Sequence, residues 1–142
     1  MRTDSHLHEY EIARRRYGIP DEEWQTEPIT DERRVRLQPL LEAGLRRFTY
    51  VYDFGDYWKH LVKVEDLLPP TTGSPPIVCI AGENACPPED VGGVPGYANF
   101  LAILADPKHE EHADMQDWIG DPFDPTEFDL IAVNRILATI KP

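Results

Sequence analysis

Histidines and carboxylates occur in two parts of the chain at spacings that suit a metal site. His6 and His8 are two residues apart, so on a strand both imidazoles project from one face and can reach one ion. Asp53 and Asp56 flank a glycine turn, and His60 follows on the returning strand. Imidazole nitrogens and carboxylate oxygens are ligands for hard and borderline divalent cations. We therefore predict a site for zinc, manganese or iron at His6, His8, Asp53, Asp56 and His60.

Two adjacent acids, Glu89 and Asp90, lie in a predicted loop at residues 83–95 that is rich in glycine and proline. A long loop whose backbone is restricted by prolines is a frequent place for a binding site. Next to a metal ion, either carboxylate could act as general base on a metal-bound water. This interpretation makes the chain a metal-dependent hydrolase with Glu89 and Asp90 as catalytic residues.

Each of these groups also has a purely structural interpretation. Two histidines on one sheet face can simply hydrogen-bond to their neighbours, and aspartates are favoured in turns because they bind their own backbone. The acids at residues 83–95 can cap a helix or pair with arginines of the N-terminal third. Cys79 and Cys86 lack the close spacing of a metal-binding pair, so buried thiols are the simpler interpretation.

The elements that must position these residues are strands first and helices afterwards. Residues 6–12 alternate as a strand does, and two further alternating stretches on either side of Phe54–Tyr57 predict an antiparallel hairpin at about residues 46–66. Strands followed by helices indicate an α+β fold, an antiparallel sheet with C-terminal helices packed on one face. The sequence also predicts a loop at residues 17–30, short strands at 35–37 and 77–80, and a short helix at 39–43. Three further helices are predicted: one starts near Gly96, the second spans residues 108–118, and the third is capped by Asp124.

The chain has 142 residues, of which 41% are hydrophobic, so we expect one domain covering residues 1–142. The formal net charge is −12, which disfavours direct binding of nucleic acid because phosphates would be repelled. Residues 1–47 contain nine basic and ten acidic residues, whereas residues 48–142 contain five and sixteen. No apolar stretch is long enough for a membrane span or resembles a signal peptide, and there are two cysteines, which predicts a cytoplasmic protein.

Three blocks, at residues 5–10, 50–60 and 86–97, resemble the plasmid pRiA4b ORF-3-like family. They read SHLHEY, YVYDFGDYWKH and CPPEDVGG followed by Gly96 and Tyr97. The resemblance extends from about residue 5 to the last predicted helix. It implies a family of uncharacterised bacterial and archaeal proteins described as passengers of a mobile element, sometimes as resolvases. The acidic composition argues against carrying over a resolvase activity, which needs a basic DNA-binding surface.

The chain departs from the family pattern in two places. Members of the family typically have a strand and a helix ahead of the His-Leu-His block, which this sequence does not include. Either the start at Met1 is misassigned, or the domain is shortened and a sheet edge is open for pairing with a second copy. The family often has a third cysteine where this chain has Val91. That difference weakens a zinc site that uses Cys79 and Cys86.

Three functions from different classes follow from these patterns. The first is the divalent-metal-dependent hydrolase. The second is a non-catalytic interaction module that docks a basic partner on the acidic half of the chain and the loop at residues 83–95. The third is an accessory protein that handles the DNA of a mobile element.

Overall fold

The computed structural model describes residues 6–20, 28–69, 73 and 77–140, which form two compact units. The sheet unit comprises the described residues up to 68 together with residues 92–95. The helical unit comprises the remainder, residues 69, 73, 77–91 and 96–140. Three of the four described α-helices follow the last strand along the chain, and one short helix lies between the third and fourth strands, so the predicted α+β class is confirmed. The assignment of residues 1–142 to one domain stays a prediction.

The sheet unit contains five strands in the order β3-β2-β1-β4-β5. Every neighbouring pair is antiparallel except β2 and β3, which are parallel. Among the described strands β3 and β5 lie at the two edges, and self-association through an open edge stays a prediction. The strands are β1 His8–Ile12, β2 Arg15–Gly18, β3 Thr30–Asp31, β4 Arg47–Tyr52 and β5 Trp58–Lys63.

The hairpin predicted at residues 46–66 is confirmed and consists of β4 and β5. Tyr50 lies opposite His60, and Tyr52 lies opposite Trp58. The turn between the strands begins at Asp53, whose φ of 59° lies in the left-handed region. Aspartate tolerates this region better than most residues because its short polar side chain can bond locally. Val51 and Tyr52 are buried, so this strand forms part of the core of the sheet unit.

The predicted loop at residues 17–30 is wrong at its start, where the chain is still in β2. Ala13 and Arg14 have φ values of 49° and 65° and connect Ile12 to Arg15 as a two-residue turn. Such turns usually contain Asn or Gly, because both central residues need positive φ. Because this turn contains neither Asn nor Gly, sequence analysis did not predict the first hairpin of the sheet. Residues 21–27 of the predicted loop lie outside the described part of the chain.

The strand predicted at residues 35–37 is also wrong. A 3₁₀ turn occupies Glu32–Arg34, and α1 spans Leu37–Glu42. The Asp31 carboxylate accepts a hydrogen bond from the Arg33 backbone nitrogen at 3.1 Å, which favours the turn over an extended chain. The short helix predicted at 39–43 is thus confirmed with a start two residues earlier.

The helical unit contains three helices that succeed one another with short connections. They are α2 Gly93–Ala105, of which residues 93–95 belong to the sheet unit, α3 His112–Ile119 and α4 Leu130–Leu137. Phe100 and Ile103 are 1% exposed and form the centre of the helical unit. The described helices include none that is both long and apolar enough to cross a bilayer.

Several boundaries in this unit differ from the sequence expectations. Helix α2 begins at Gly93 instead of Gly96. Residues 77–80 do not form the predicted buried strand, and Ile80 in this segment is 86% exposed. The N-cap of α4 is Asp129, whose carboxylate accepts from the Ala132 nitrogen at 2.8 Å. The predicted cap, Asp124, instead binds the nitrogen of Thr126 and closes a separate turn.

Candidate functional site

Asp53 and His6 are the two predicted metal ligands that the sheet unit places side by side. The Nδ1 atom of His6 lies 3.8 Å from Oδ2 of Asp53. Asp53 directly follows β4, is 6% exposed, and donates its backbone N–H to the Leu7 carbonyl oxygen at 2.9 Å. This backbone bond holds the segment before β1 against the end of β4. One imidazole and one buried carboxylate are therefore within reach of a common ligand.

The same carboxylate also stabilises the hairpin turn. Its Oδ1 atom accepts hydrogen bonds from the backbone nitrogens of Gly55 at 2.8 Å and Asp56 at 3.3 Å. Asp56 in turn accepts through Oδ2 from the Gly92 nitrogen at 3.1 Å. Gly93 has a φ of 66°, and a Cβ atom there would overlap the carbonyl oxygen of Asp56. The two aspartates of the predicted site thus have structural partners of their own.

The remaining predicted ligands, His8 and His60, contact other groups. Nε2 of His8 lies 3.1 Å and 3.2 Å from the two carboxylate oxygens of Glu32. His60 Nδ1 lies 3.3 Å from the Tyr50 carbonyl oxygen. Within the described residues, no three of the five predicted ligands have ligand atoms within 4.8 Å of one another. The five-residue metal site stays a prediction.

The helical unit contains a groove, with a volume of about 370 Å³, that begins beside the predicted catalytic acids. Asp90 has a φ of 55° and follows Glu89 in the loop that precedes α2. We call this feature the acidic groove. Its lining consists of Asp90, Val91, Gly96, Asn99, Phe100, Glu111, Asp114, Met115 and Trp118.

Apolar and acidic side chains meet in the acidic groove. The Trp118 ring contacts Phe100 edge to face, with 5.8 Å between centroids, yet half of Trp118 remains exposed. Asp90, Glu111 and Asp114 are exposed acids of the same lining. A large exposed aromatic side chain next to acids is a typical feature of a surface that binds another molecule.

The local sequence explains why the α3 side of the groove has this character. Glu111, Asp114, Met115 and Trp118 have the spacing at which residues share one helix face. His112 fixes the helix through Nδ1, which lies 2.9 Å from the Ile103 carbonyl oxygen of α2. Sequence analysis placed these residues on a helix but missed them as a site, although the combination of acids with Met and Trp on one face was a signal.

The electrostatic field around the acidic groove is strongly negative. Residues 69–142 contain twelve Asp and Glu residues and three Lys and Arg residues, which gives a formal charge of −9. With so few cations, most of these acids cannot be neutralised by residues of the same segment. A concentrated charge of one sign attracts ligands of the opposite sign and increases their association rate.

Comparisons with known proteins place the chain among proteins whose activity is not established. The family model described as "Plasmid pRiA4b ORF-3-like protein" matches residues 1–132. The uncharacterised protein y4hQ of Sinorhizobium fredii (strain NBRC 101917 / NGR234) is 40% identical over 132 residues, which cover 93% of this chain. The chain spans 66% of the length of that relative.

A solved structure shows the same architecture. It is the crystal structure of MM3350 from Methanosarcina mazei Go1, a protein of unknown function. The TM-score is 0.80 at 36% sequence identity, with 90% of this chain and 72% of the other chain covered. The agreement in both sequence and structure therefore supports a shared family and a shared fold.

Proposed function

The chain belongs to the plasmid pRiA4b ORF-3-like family, and we propose that it acts as a non-catalytic interaction module that docks a basic segment of a partner protein. The observation that carries this proposal is the acidic groove, where the half-exposed Trp118 lies among exposed acids. Membership of the family supplies the fold and leaves the activity open.

The chemistry of the groove defines the partner segment. Phe100, Met115 and Trp118 offer an apolar lining, and a thioether and aromatic rings adapt well to an inserted side chain. Glu111 and Asp114 lie on the same face and would attract lysine or arginine residues on either side of that anchor. The fitting segment therefore has one large apolar residue between basic residues.

The proposal is tested by titrating the full chain with two synthetic peptides of equal length. One alternates lysine with leucine, and the other has glutamate in place of each lysine. Calorimetry and amide chemical shifts should show binding of the lysine peptide alone, with the largest shifts in α2 and α3. Raising the salt concentration should weaken binding, because exposed charges are screened over about 10 Å at 0.1 M salt.

Two matched variants locate the binding surface. Glu111→Gln removes a groove charge without changing side-chain size, whereas Glu127→Gln removes an exposed charge that does not line the groove. We expect Glu111→Gln and Trp118→Ala to weaken binding several-fold and Glu127→Gln to leave it nearly unchanged. Equal effects of both glutamine variants, or equal binding of both peptides, would contradict the proposal.

The divalent-metal-dependent hydrolase is a second candidate, and the 3.8 Å separation of His6 and Asp53 favours it. On this proposal Glu89 or Asp90 would act as general base, and His8, Asp56 and His60 would help to hold the ion. The metal content of tag-free protein, measured by mass spectrometry, tests the idea. Near-stoichiometric metal that disappears when His6, His8 and His60 are all replaced by alanine would support it, and a metal-free protein that added metals do not stabilise would oppose it.

A further inference from the structure

A separate cavity of about 320 Å³ lies within the sheet unit, between the sheet and the segment that contains α1. Strand residues supply one side of the lining, and residues 32–40 supply the other. The volume is in the range of pockets that hold small organic ligands. We call it the sheet cavity, and its lining consists of Tyr10, Ile12, Tyr17, Glu32, Arg33, Val35, Leu37, Leu40 and Phe48.

The aromatic side chains of the sheet cavity follow from the strand register. Tyr17 lies opposite Tyr10, so both side chains share one face of the sheet, and Tyr50, opposite Tyr10, packs beside the lining without belonging to it. The ring centroids of Tyr10 and Tyr50 are 5.0 Å apart, and those of Tyr10 and Phe48 are 6.3 Å apart. Rings packed against one another in this way form a preformed aromatic wall. Such a wall attracts cations through the negative faces of its rings.

The two charged residues of the lining differ in how they are compensated. The guanidinium of Arg33 donates through Nε and a terminal nitrogen to the two carboxylate oxygens of Asp31, at 2.8 Å and 3.0 Å. This bidentate pair lowers the pKa of Asp31 and raises the pKa of Arg33. Asp31 therefore compensates Arg33 in part, since its Oδ2 also lies 3.6 Å from Nε of Arg34, and Glu32 contributes to the field at Arg33.

Glu32 keeps capacity for a further hydrogen-bond donor. Its carboxylate contacts one nitrogen of His8, and this is its single side-chain partner in the described part of the chain. A carboxylate can accept about four hydrogen bonds, so donors from a ligand can be added to that of His8. The sheet cavity thus combines apolar walls, three aromatic rings and one carboxylate.

We infer that the sheet cavity binds an organic cation, an amine attached to an aromatic or aliphatic body. The apolar body would fill the space between the rings and Val35, Leu37 and Leu40, and the ammonium group would donate to Glu32. Charge-assisted hydrogen bonds and cation–π contacts both favour the charged amine over a neutral ligand of the same shape. This site lies in the other unit from the acidic groove and does not depend on the proposed docking function.

Three indole probes with different charges test the inference on the full chain. They are tryptamine, which is a cation, tryptophol, which is neutral, and indole-3-propionate, which is an anion. Measured by ligand-observed NMR and calorimetry, tryptamine should bind with a dissociation constant on the order of 0.1–1 mM. Tryptophol should bind about tenfold more weakly, since it lacks the charge-assisted hydrogen bond, and the propionate more weakly still.

Variants show whether the probe occupies this cavity. Glu32→Gln should reduce the affinity for tryptamine about tenfold while leaving tryptophol nearly unchanged. The matched control is Glu65→Gln, an exposed residue of the sheet unit outside the lining, which should have no effect. Leu37→Trp adds bulk at a position that is 47% exposed, so it should fill the cavity and abolish binding while the protein stays folded by circular dichroism.

Three results would overturn the inference. Tightest binding of the propionate would show that Arg33 and not Glu32 selects the ligand. Equal affinity of the wild type and Leu37→Trp for tryptamine would place the binding elsewhere. Absence of binding by all three probes at millimolar concentration would show that the sheet cavity is not a site for this class of ligand.

Discussion

The two units of this chain differ in how their acidic residues are compensated. In the sheet unit some acids pair with arginines, as Glu9 does with Arg16 at 2.8 Å and Asp31 with Arg33 at 2.8 Å, while Asp53 and Asp56 accept from backbone nitrogens. In the helical unit the aspartates with described hydrogen bonds, Asp106, Asp124 and Asp129, accept from backbone nitrogens at turns and helix starts. Acids that pair with arginine are neutralised locally, whereas acids that accept hydrogen bonds from backbone nitrogens keep their charge.

This difference explains why the two candidate binding features differ in kind. In the sheet unit, where ion pairs compensate part of the acidic charge, the candidate binding feature is an apolar cavity that contains one carboxylate. Where residues 69–142 keep a charge of −9, the field itself acts over several ångströms and favours a basic partner on an open groove. Acids paired with arginine are expected to matter for stability, and the exposed acids Glu111 and Asp114 for binding.

The largest predicted effect concerns the cores of the two units. Phe100→Ala should destabilise the protein by about 3–5 kcal/mol, since a 1% exposed ring that contacts Trp118 and Phe123 would leave a cavity. Val51→Ala in β4 should cost about 2 kcal/mol. Urea unfolding followed by circular dichroism measures both, and Leu68→Ala, at 79% exposure, is the control that should change little.

The same two variants test the proposal that residues 1–142 form one domain. If they do, hydrogen exchange at amides of β4 and of α2 should accelerate together in either variant, because global unfolding would limit exchange in both. Acceleration restricted to the unit that carries the substitution would show two independently unfolding units and would contradict the single-domain prediction.

An intermediate effect is expected at Asp53, whose carboxylate accepts the backbone hydrogen bonds of the hairpin turn. Asp53→Ala should cost about 1–3 kcal/mol, because the turn loses two hydrogen bonds and alanine tolerates a φ of 59° poorly. Asp53→Asn should cost less, since asparagine keeps an acceptor oxygen and tolerates positive φ. Thermal unfolding of both variants measures the difference.

Asp114→Asn in the acidic groove is the matched comparison for Asp53. Its carboxylate lies in the first turn of α3, where the favourable interaction with the helix dipole offsets repulsion by neighbouring acids, so its replacement should change stability by less than about 0.5 kcal/mol. A loss at Asp114 as large as that at Asp53 would break the distinction between the two units.

The sheet unit was largely predictable from sequence because its signal is local. Alternation around Phe54–Tyr57 fixed the second hairpin and its turn residues, since a period of two leaves little freedom in register. The first hairpin, formed by β1 and β2, was not predicted because its turn residues, Ala13 and Arg14, adopt positive φ although neither is Gly or Asn. The start of α4 was predicted wrongly because Asp124 and Asp129 are both residues of a type favoured at helix N-caps. The structure uses Asp129.

The candidate sites were less predictable, because they depend on contacts between distant segments. Strand alternation suggested that His6 and His8 act together. In the structure β1 begins at His8, and the imidazole of His8 contacts the carboxylate of Glu32, which is 24 residues away in the sequence. The sheet cavity likewise needs residues 32–40 to cover β1 and β4. Local spacing contains no information about which later segment packs against a given face.

The smallest predicted effect is a pH dependence at Tyr97 in the helical unit. Burial, reinforced by the nearby Cys86 thiol when it ionises, raises the pKa of Tyr97 above its ordinary value near 10. Because the folded state then holds the phenol proton more tightly than the unfolded chain, this contribution to stability is complete below pH 10. It is lost as the pH rises through the folded-state pKa.

Urea unfolding of the wild type and of Tyr97→Phe at several pH values from 8 to 11 measures this contribution. The wild type should lose more stability over this interval than Tyr97→Phe. Cys86→Ser removes the thiolate but not the burial, so it should lie between the wild type and Tyr97→Phe. If Tyr97→Phe had the same pH slope as the wild type, burial would not raise the pKa of Tyr97 and the prediction would be wrong. The contribution of the helical unit to the pH dependence would then come from its acids alone.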